Sequence, residues 1–351
     1  MRRITVNPQN ISYEVVIQRG ILNRTGAELS SIFNGGRALL VSDENVGKLY
    51  ADTVSASLEK NGFAVCRCTF PAGEDHKTLA TVEHILECAA SFHLSRSDFF
   101  VAFGGGVCGD MTGFAAAVYL RGVKFVQIPT TLLAAVDASV GGKTGANLNC
   151  GKNLVGAFHQ PSCVLFDPDT LSSLSRDQLE DGIAEIIKHS ILAGGRLYDI
   201  VSSGTLSDNI EEAVALNVEI KSSYVESDPY DTGRRQMLNF GHTIGHAIEK
   251  CSNYKISHGH AVAMGMVAET RAFIKLYNEK TEILNIIQNI LLKNNINFDI
   301  PFSAQELSSA ALHDKKLSHG SLNIIAPLGV GNCILRSIPE AQIEAYIKAG
   351  L

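Results

Sequence analysis

The sequence predicts an α/β domain built on a parallel sheet, followed by a mainly α-helical domain. Three observations lead there. Up to about residue 160, short β-rich apolar runs alternate with stretches of helical length, the pattern of strands joined by crossover helices. Beyond about Ser175 the strand pattern fades and five helical stretches follow. Between these regimes, a glycine-rich turn closes one strand and opens a helix. A chain of 351 residues has room for two such domains. The boundary is predicted near Gln160-Pro161, giving domains 1–160 and 161–351.

In order, Val15-Val16-Ile17 and Ala38-Leu39-Leu40-Val41 read as strands, the second ending at Ser42-Asp43. A helix is predicted from about Val46 to Lys60, then a strand over Ala64–Thr69. Leu79 to Phe92 carries apolar residues at helical spacing, and Asp98–Phe103 is a strand running into glycines. Phe125–Ile128 is a strand stopped by Pro129. In the second half, Leu179–Val201, Asp208–Val225, Arg234–Cys251, His258–Tyr277 and Glu282–Leu292 are the predicted helices. Leu322–Ala326 is a short strand ahead of Pro327.

Thirty Lys+Arg against thirty-six Asp+Glu leave a net charge of −6. An acidic balance excludes a general grip on nucleic acid or an anionic membrane surface, while leaving room for a local basic pocket. The Arg2-Arg3 start has no apolar run behind it, so no secretory signal is expected, and no stretch reaches membrane-spanning length. The expected location is cytoplasmic. Eight scattered cysteines without a C-x-x-C pair fit reduced, buried thiols. Cys66 and Cys68 read as alternating packing positions in a strand rather than as metal ligands.

Gly104-Gly105-Gly106-Val107-Cys108-Gly109-Asp110 satisfies G-x-G-x-x-G between a strand and a helix. Glycines there let backbone approach a pyrophosphate, and the helix start offers free N–H groups. This gives the first domain its Rossmann-like character. The usual ribose-binding acid is missing, because Lys124–Ile128 holds no carboxylate. Pro129-Thr130-Thr131 then places two hydroxyls at a strand's carboxyl end. Asp137, Gly141-Gly142-Lys143-Thr144 and Gly151-Lys152-Asn153 follow, two glycine-preceded lysines suited to a phosphate. A P-loop is excluded, since Asp137 stands where its first glycine belongs.

Four of eleven histidines lie between residues 242 and 260. His242 and His246 fall at i and i+4 on one helix face, and His258-Gly259-His260 opens another helix. Upstream, Glu185 and Lys188 sit at i and i+3 in an apolar helix, where buried charges need partners or a metal. One Glu and two His with an open position form a catalytic zinc ligand set. Capping or core histidines are the alternative that spacing leaves open. Thr243 replaces the adjacent glutamate of the metalloprotease motif.

These segments, in this order, resemble the sugar phosphate cyclases, over about residues 40–330. The carriers are Gly104–Phe114, Gln127–Ala134, Val136–Thr144, Gly151–Phe158, Ala184–Lys188, Leu238–His246 and His258-Gly259. The resemblance implies a divalent metal, most often zinc with cobalt possible, on Glu185, His242 and His258. It implies NAD on Asp43, Glu74, Lys77, Gly105, Gly106, Val107, Gly109, Asp110, Thr130, Thr131 and Lys152, with Thr170 and Leu171 closing over it. Substrate contacts fall on Arg121, Asp137, Lys143, Asn153, Lys188, Lys221, Asn239 and His246. Arg235 is implied to reach across from a neighbouring subunit of a homodimer, and Lys315 of Asp314-Lys315-Lys316 to hold phosphate.

The implied substrate is a small sugar phosphate, 3-deoxy-arabino-heptulosonate 7-phosphate. The implied sequence is transient oxidation by NAD, β-elimination of phosphate, reduction, ring opening and aldol closure. Asn239, Lys221, Arg235 and the lysines after Asp314 favour this carboxylate-bearing substrate over those of inosose- or valiolone-forming relatives. A metal-dependent alcohol dehydrogenase is the other reading, distinguished by net NADH release. Two positions depart from the family pattern: His260 replaces a usual glutamate and His159 a usual tyrosine. The glycines at Gly104–Gly109, Gly141–Gly142, Gly151, Gly241 and Gly245 are expected where backbone meets ligand or a helix starts.

Overall fold

A computed structural model describes residues 1–9, 11–312 and 321–351. The Asp314-Lys315-Lys316 segment, and with it the Lys315 assignment, lies outside the described residues. The chain divides into two compact units, Met1–Leu174 and Ser175–Leu351. The division therefore falls later than the predicted 160/161 boundary, because Cys163–Phe166 is a strand of the first unit's sheet.

That sheet contains β1 (Arg2–Val6), β2 (Tyr13–Ile17), β3 (Gly36–Asp43), β4 (Phe63–Phe70), β5 (Phe99–Gly104), β6 (Lys124–Pro129) and β9 (Cys163–Phe166). β7 (Lys143–Leu148) and β8 (Gly151–Phe158) form a separate antiparallel hairpin. The strand order is β1-β2-β9-β6-β5-β3-β4, parallel everywhere except the β1–β2 edge pair. Helices Glu44–Lys60, Leu79–Ser91 and Gly106–Val118 supply crossovers. Because β3 leads to β4 on one side and β5 lies on the other, the winding reverses between β3 and β5. Open α/β sheets bind ligands outside the carboxyl ends of the strands at such a reversal.

Both sheet faces are covered. Phe99, Val101 and Phe103 point into one apolar layer and Phe100, Ala102 and Phe125 into the other, as alternation along a strand requires. Phe33 stacks on Phe99 with centroids 3.9 Å apart. Several glycines serve this packing. A Cβ on Gly109 would stand 2.5 Å from Gln127 Oε1, and one on Gly113 would stand 2.5 Å from Thr144 Cγ2.

The second unit is mainly helical. Ser175 and Gln178 form a capping box that starts the helix Arg176–Ala193 earlier than Leu179. The predicted Leu179–Val201 helix is two helices, broken at Gly194-Gly195, whose φ values are +66° and +64°. The predicted Arg234–Cys251 helix is a 3-10 turn, Arg234–Asn239, then the helix His242–Cys251, separated by Gly241 at φ +78°. Ile210–Ser227, His258–Tyr277, Glu282–Lys293, Ala304–Leu312 and Ile343–Gly350 complete the longer helices. The Leu322–Ala326 prediction is part of β10 (Ser321–Gly329), which pairs with β11 (Asn332–Pro339), a strand not read from the sequence. Pro327 does not end β10; a register shift between Pro327 and Gly329 accommodates the turn.

Candidate active site

The second unit brings Glu185, His242 and His258 together, with one ligand atom of each within 4.8 Å of the others. Glu185 projects from the Arg176–Ala193 helix and is fully buried. Its Oε1 lies 3.7 Å from His242 Nε2 and 3.6 Å from His258 Nε2. Those separations are long for hydrogen bonds. They match a shared ion: donors each about 2.1 Å from a tetrahedral metal stand about 3.4 Å apart.

The outer partners point the same way. His242 Nδ1 donates to Phe240 O at 3.1 Å, which leaves Nε2 as the lone-pair nitrogen. His258 Nδ1 lies 3.3 Å from Glu249 Oε2, a carboxylate–imidazole pair of the kind that orients metal ligands. Burial disfavours a charged His258, but Glu185 and Glu249 outweigh it and push its pKa up to about 10. Lys188, buried one turn along from Glu185, pairs with the other carboxylate oxygen.

Two further residues hold this arrangement, and sequence patterning did not find them. Glu249 is one. The other is Glu269, fully buried on the His258–Tyr277 helix, which accepts from the backbone N–H groups of Gly241, Thr243 and Ile244 at 3.0, 3.1 and 3.2 Å. It thereby satisfies the N-terminus of the helix bearing His242. The glycines here serve the helix pair more than a ligand. A Cβ on Gly265 would lie 1.9 Å from Gly241 O, and one on Gly245 would lie 3.0 Å from Ala261 O.

His246 stands beside the set, its ring centroid 5.4 Å from that of His242. His260 turns away: its Nε2 donates to Glu180 Oε2 at 3.0 Å. Lys221 is buried and Asn239 half-buried. Arg235 is buried, donating from Nη1 to Pro229 O at 2.8 Å, in a loop gathered by Asp228.

In the first unit, Asp43 ends β3 and caps the next helix through Asn45 N and Val46 N. Gly104 ends β5 beside it, where a Cβ would come within 3.3 Å of Asp43 Oδ2. Both flank the winding reversal. No side chain caps the helix that begins at Gly106, so its first N–H groups face a ready anion position. Thr131 Oγ1 accepts from Ala134 N, while the buried Thr130 Oγ1 finds no partner among the described residues.

Lys77 is buried and donates to Asp110 Oδ2 at 2.6 Å and Asn153 Oδ1 at 2.7 Å. Asn147, unremarked in the sequence, bridges Glu74 Oε1 and Asn153 N, and Lys152 Nζ stands 3.9 Å from Glu74. Asn153, implied to meet substrate, thus sits with residues implied to meet NAD, at φ +53°. At the hairpin's other end, His159 Nε2 donates to Val123 O at 2.8 Å and its ring stacks on Phe125. The exposed Lys143 belongs to that end, and the exposed Arg121 lies in the turn Tyr119–Arg121 before β6. Asp137 lies in the turn Ala134–Ala138, and a Cβ on Gly106 would meet Ala138 at 3.2 Å. Thr170 spends its hydroxyl on Asp167 O and is buried, with Leu171 half-buried after it.

The family model described as 3-dehydroquinate synthase N-terminal matches residues 67–181, and the C-terminal one residues 182–317. A 3-dehydroquinate synthase of Microcystis aeruginosa is 41% identical over 341 residues, covering 93% of this chain and 92% of its own. That of Clostridium acetobutylicum is 37% identical over 347 residues, 96% of each chain. The chain belongs to the 3-dehydroquinate synthase family. Among solved structures, a 2-deoxy-scyllo-inosose synthase complexed with carbaglucose-6-phosphate, NAD+ and Co2+ aligns with TM-score 0.89 and 26% identity over 100% of both chains. A 2-epi-5-epi-valiolone synthase from Streptomyces hygroscopicus with NAD+ and Zn2+ bound aligns with TM-score 0.87 and 25% identity over 97% of both. A glycerol dehydrogenase from Schizosaccharomyces pombe, at TM-score 0.63 and 16% identity, shares the fold. Among the described residues, no helix is long and apolar enough to cross a membrane.

Proposed function

We propose that this chain is a cytoplasmic 3-dehydroquinate synthase of the shikimate pathway, serving aromatic amino acid biosynthesis. It converts 3-deoxy-arabino-heptulosonate 7-phosphate to 3-dehydroquinate and inorganic phosphate, a carbon–oxygen lyase reaction. The observation that carries the reading is the Glu185/His242/His258 constellation with its Glu249 support, in a chain of this family.

The donor set suits zinc or cobalt, and the Thr130 hydroxyl, the uncapped helix start and the β3/β5 reversal suit NAD. When bound, the metal would supply polarisation of a ring hydroxyl and NAD a reversible hydride acceptor, the transient ketone being what acidifies the neighbouring C–H for loss of phosphate. Glu185, His242 and His258 hold the metal. Asp43, Glu74, Lys77, the Gly105–Asp110 turn, Thr130, Thr131, Lys152, Thr170 and Leu171 form the NAD site. Lys188, paired with Glu185, is placed to donate hydrogen bonds to substrate oxygens. His246, next to the ligands but outside their set, moves or holds a proton. Arg121, Lys143, Lys221 and Lys315 neutralise phosphate and carboxylate, while Asp137, Asn153 and Asn239 orient hydroxyls.

The working unit is a homodimer in which Arg235 crosses to its neighbour. In the single chain its guanidinium is bonded to Pro229 O.

The test is incubation of zinc-loaded protein with the heptulosonate phosphate and catalytic NAD, following inorganic phosphate, cyclic product and NADH. Stoichiometric phosphate and cyclic product without net NADH is the expected result. Turnover of simple alcohols with net NADH and no phosphate release would sink the assignment, as would turnover only on sugar phosphates lacking the carboxylate.

A further inference from the structure

The edge strand β4 carries Cys66 and Cys68 two residues apart, so their side chains leave the same face. The helix Leu79–Ser91 packs on that face and carries His84 and Cys88 one turn apart. The sulfurs of Cys68 and Cys88 and a ring nitrogen of His84 lie within 4.8 Å of one another. Cys88 Sγ is 3.9 Å from His84 Nε2. We propose that Cys68, His84 and Cys88 form a second, sulfur-rich site for a thiophilic cation such as Zn2+, with Cys66 as fourth ligand.

The geometry needs little change. With metal–sulfur bonds of about 2.3 Å, tetrahedral sulfur ligands stand about 3.8 Å apart, so side-chain adjustments of about 1 Å bring Cys68, His84 and Cys88 to ligating distance, and Cys66 joins them by turning its thiol away from Arg67 O. The donor chemistry differs in kind from Glu185/His242/His258, which contains no sulfur; thiolates select zinc and other soft ions. Ligands from an edge strand and its covering helix make a closed cross-link, the structural use of zinc. Exposed His84 gives the ion an entry side, whereas Cys68 is buried beneath it. Burial pushes the Cys66 and Cys68 thiols up, so each ligating thiol releases its proton to solvent as the metal enters. The eight cysteines are free thiols in this structure.

Cobalt titration of the full chain under reducing conditions tests this. Two equivalents should bind per chain, one of them bringing the near-ultraviolet thiolate-to-cobalt charge-transfer absorption. C88S and the exposed-residue variant H84Q should each lose that absorption and one equivalent while keeping phosphate release. E185Q should lose the other equivalent and keep the absorption, so failure here is distinct from failure of the synthase reading. H84Q keeps the test open should C88S not fold. A single equivalent without thiolate absorption overturns the proposal. So does a Cys68–Cys88 disulfide formed in air by protein that takes up no metal at these thiols when reduced.

Discussion

Replacing Glu249 with glutamine removes one negative charge from the proposed metal site while keeping the side chain's shape. Glu249 is buried and its Oε2 lies 3.3 Å from His258 Nδ1. The Coulomb attraction between unit charges at that distance, with an effective dielectric near 20, is about 5 kcal/mol. That is an upper bound, because a glutamine oxygen still accepts from Nδ1 and the imidazole is neutral once it ligates. Removing an outer partner of a ligating histidine costs about 10–100-fold in metal affinity, or about 1.4–2.8 kcal/mol, which sits within the bound. E249Q should therefore bind zinc about 10–100-fold more weakly in competition with a chromophoric chelator. Its phosphate-release activity should fall at limiting zinc and recover most of kcat at saturating zinc. Wild-type zinc affinity in E249Q would refute the reasoning. Lost activity that excess zinc does not restore, with affinity unchanged, would equally remove Glu249 from this role.

Three other outcomes follow from the contacts described above. G265A places a methyl 1.9 Å from Gly241 O, forcing apart the helices that carry His242 and His258; thermal unfolding should show a loss of about 3 kcal/mol or more, with zinc affinity falling alongside it. H260Q should leave zinc stoichiometry unchanged and affinity within about threefold, because His260 donates to Glu180 instead of facing the metal ligands; isothermal titration checks this. Asp98 is buried, which raises its pKa, but N–H groups of Arg37 and Ser95 and the Ser95 hydroxyl outweigh burial and hold it below the usual carboxylate range. A depressed folded-state pKa means its contribution is complete above about pH 4 and fades as pH falls through the folded value. D98N should cost about 1–3 kcal/mol at neutral pH and narrow that gap in acid, read by urea unfolding across pH.

The strands and helices of the first unit were legible because periodicity and length separate a buried strand from a crossover helix. Short or edge elements were less so. β1 is five residues, and β11 has to be inferred from a turn, Gly329–Gly331, rather than from an apolar run. The double break at Gly194-Gly195 was written in the sequence, yet one glycine pair inside a helical pattern is weak punctuation. The proposed metal ligands are residue types at a readable spacing, although spacing alone pairs His242 with His246, whereas the structure brings His242 and His258 together around Glu185. Glu249 and Glu269 left no signal of this kind. A glutamate late in an amphipathic helix reads as surface, and only the tertiary partners of these two, His258 Nδ1 and three N–H groups near Gly241, show otherwise.

The glycines sharpen the same distinction. Gly104 and Gly105 stand at the carboxyl end of β5 beside the winding reversal, where a Cβ would meet Cys108, Asp43 or Thr131 side chains and no neighbouring backbone. Gly241 and Gly245 looked alike in sequence, but what they approach is Ala261, Val262 and Gly265 on a neighbouring helix. Their smallness sets how closely the two histidine-bearing helices cross, and that crossing fixes the separation of His242 and His258. A methyl group at this contact therefore acts on metal affinity without touching the metal. Mutating a glycine at the helix contact should change zinc affinity in step with stability, while mutating one at the β5 turn should change NAD affinity first.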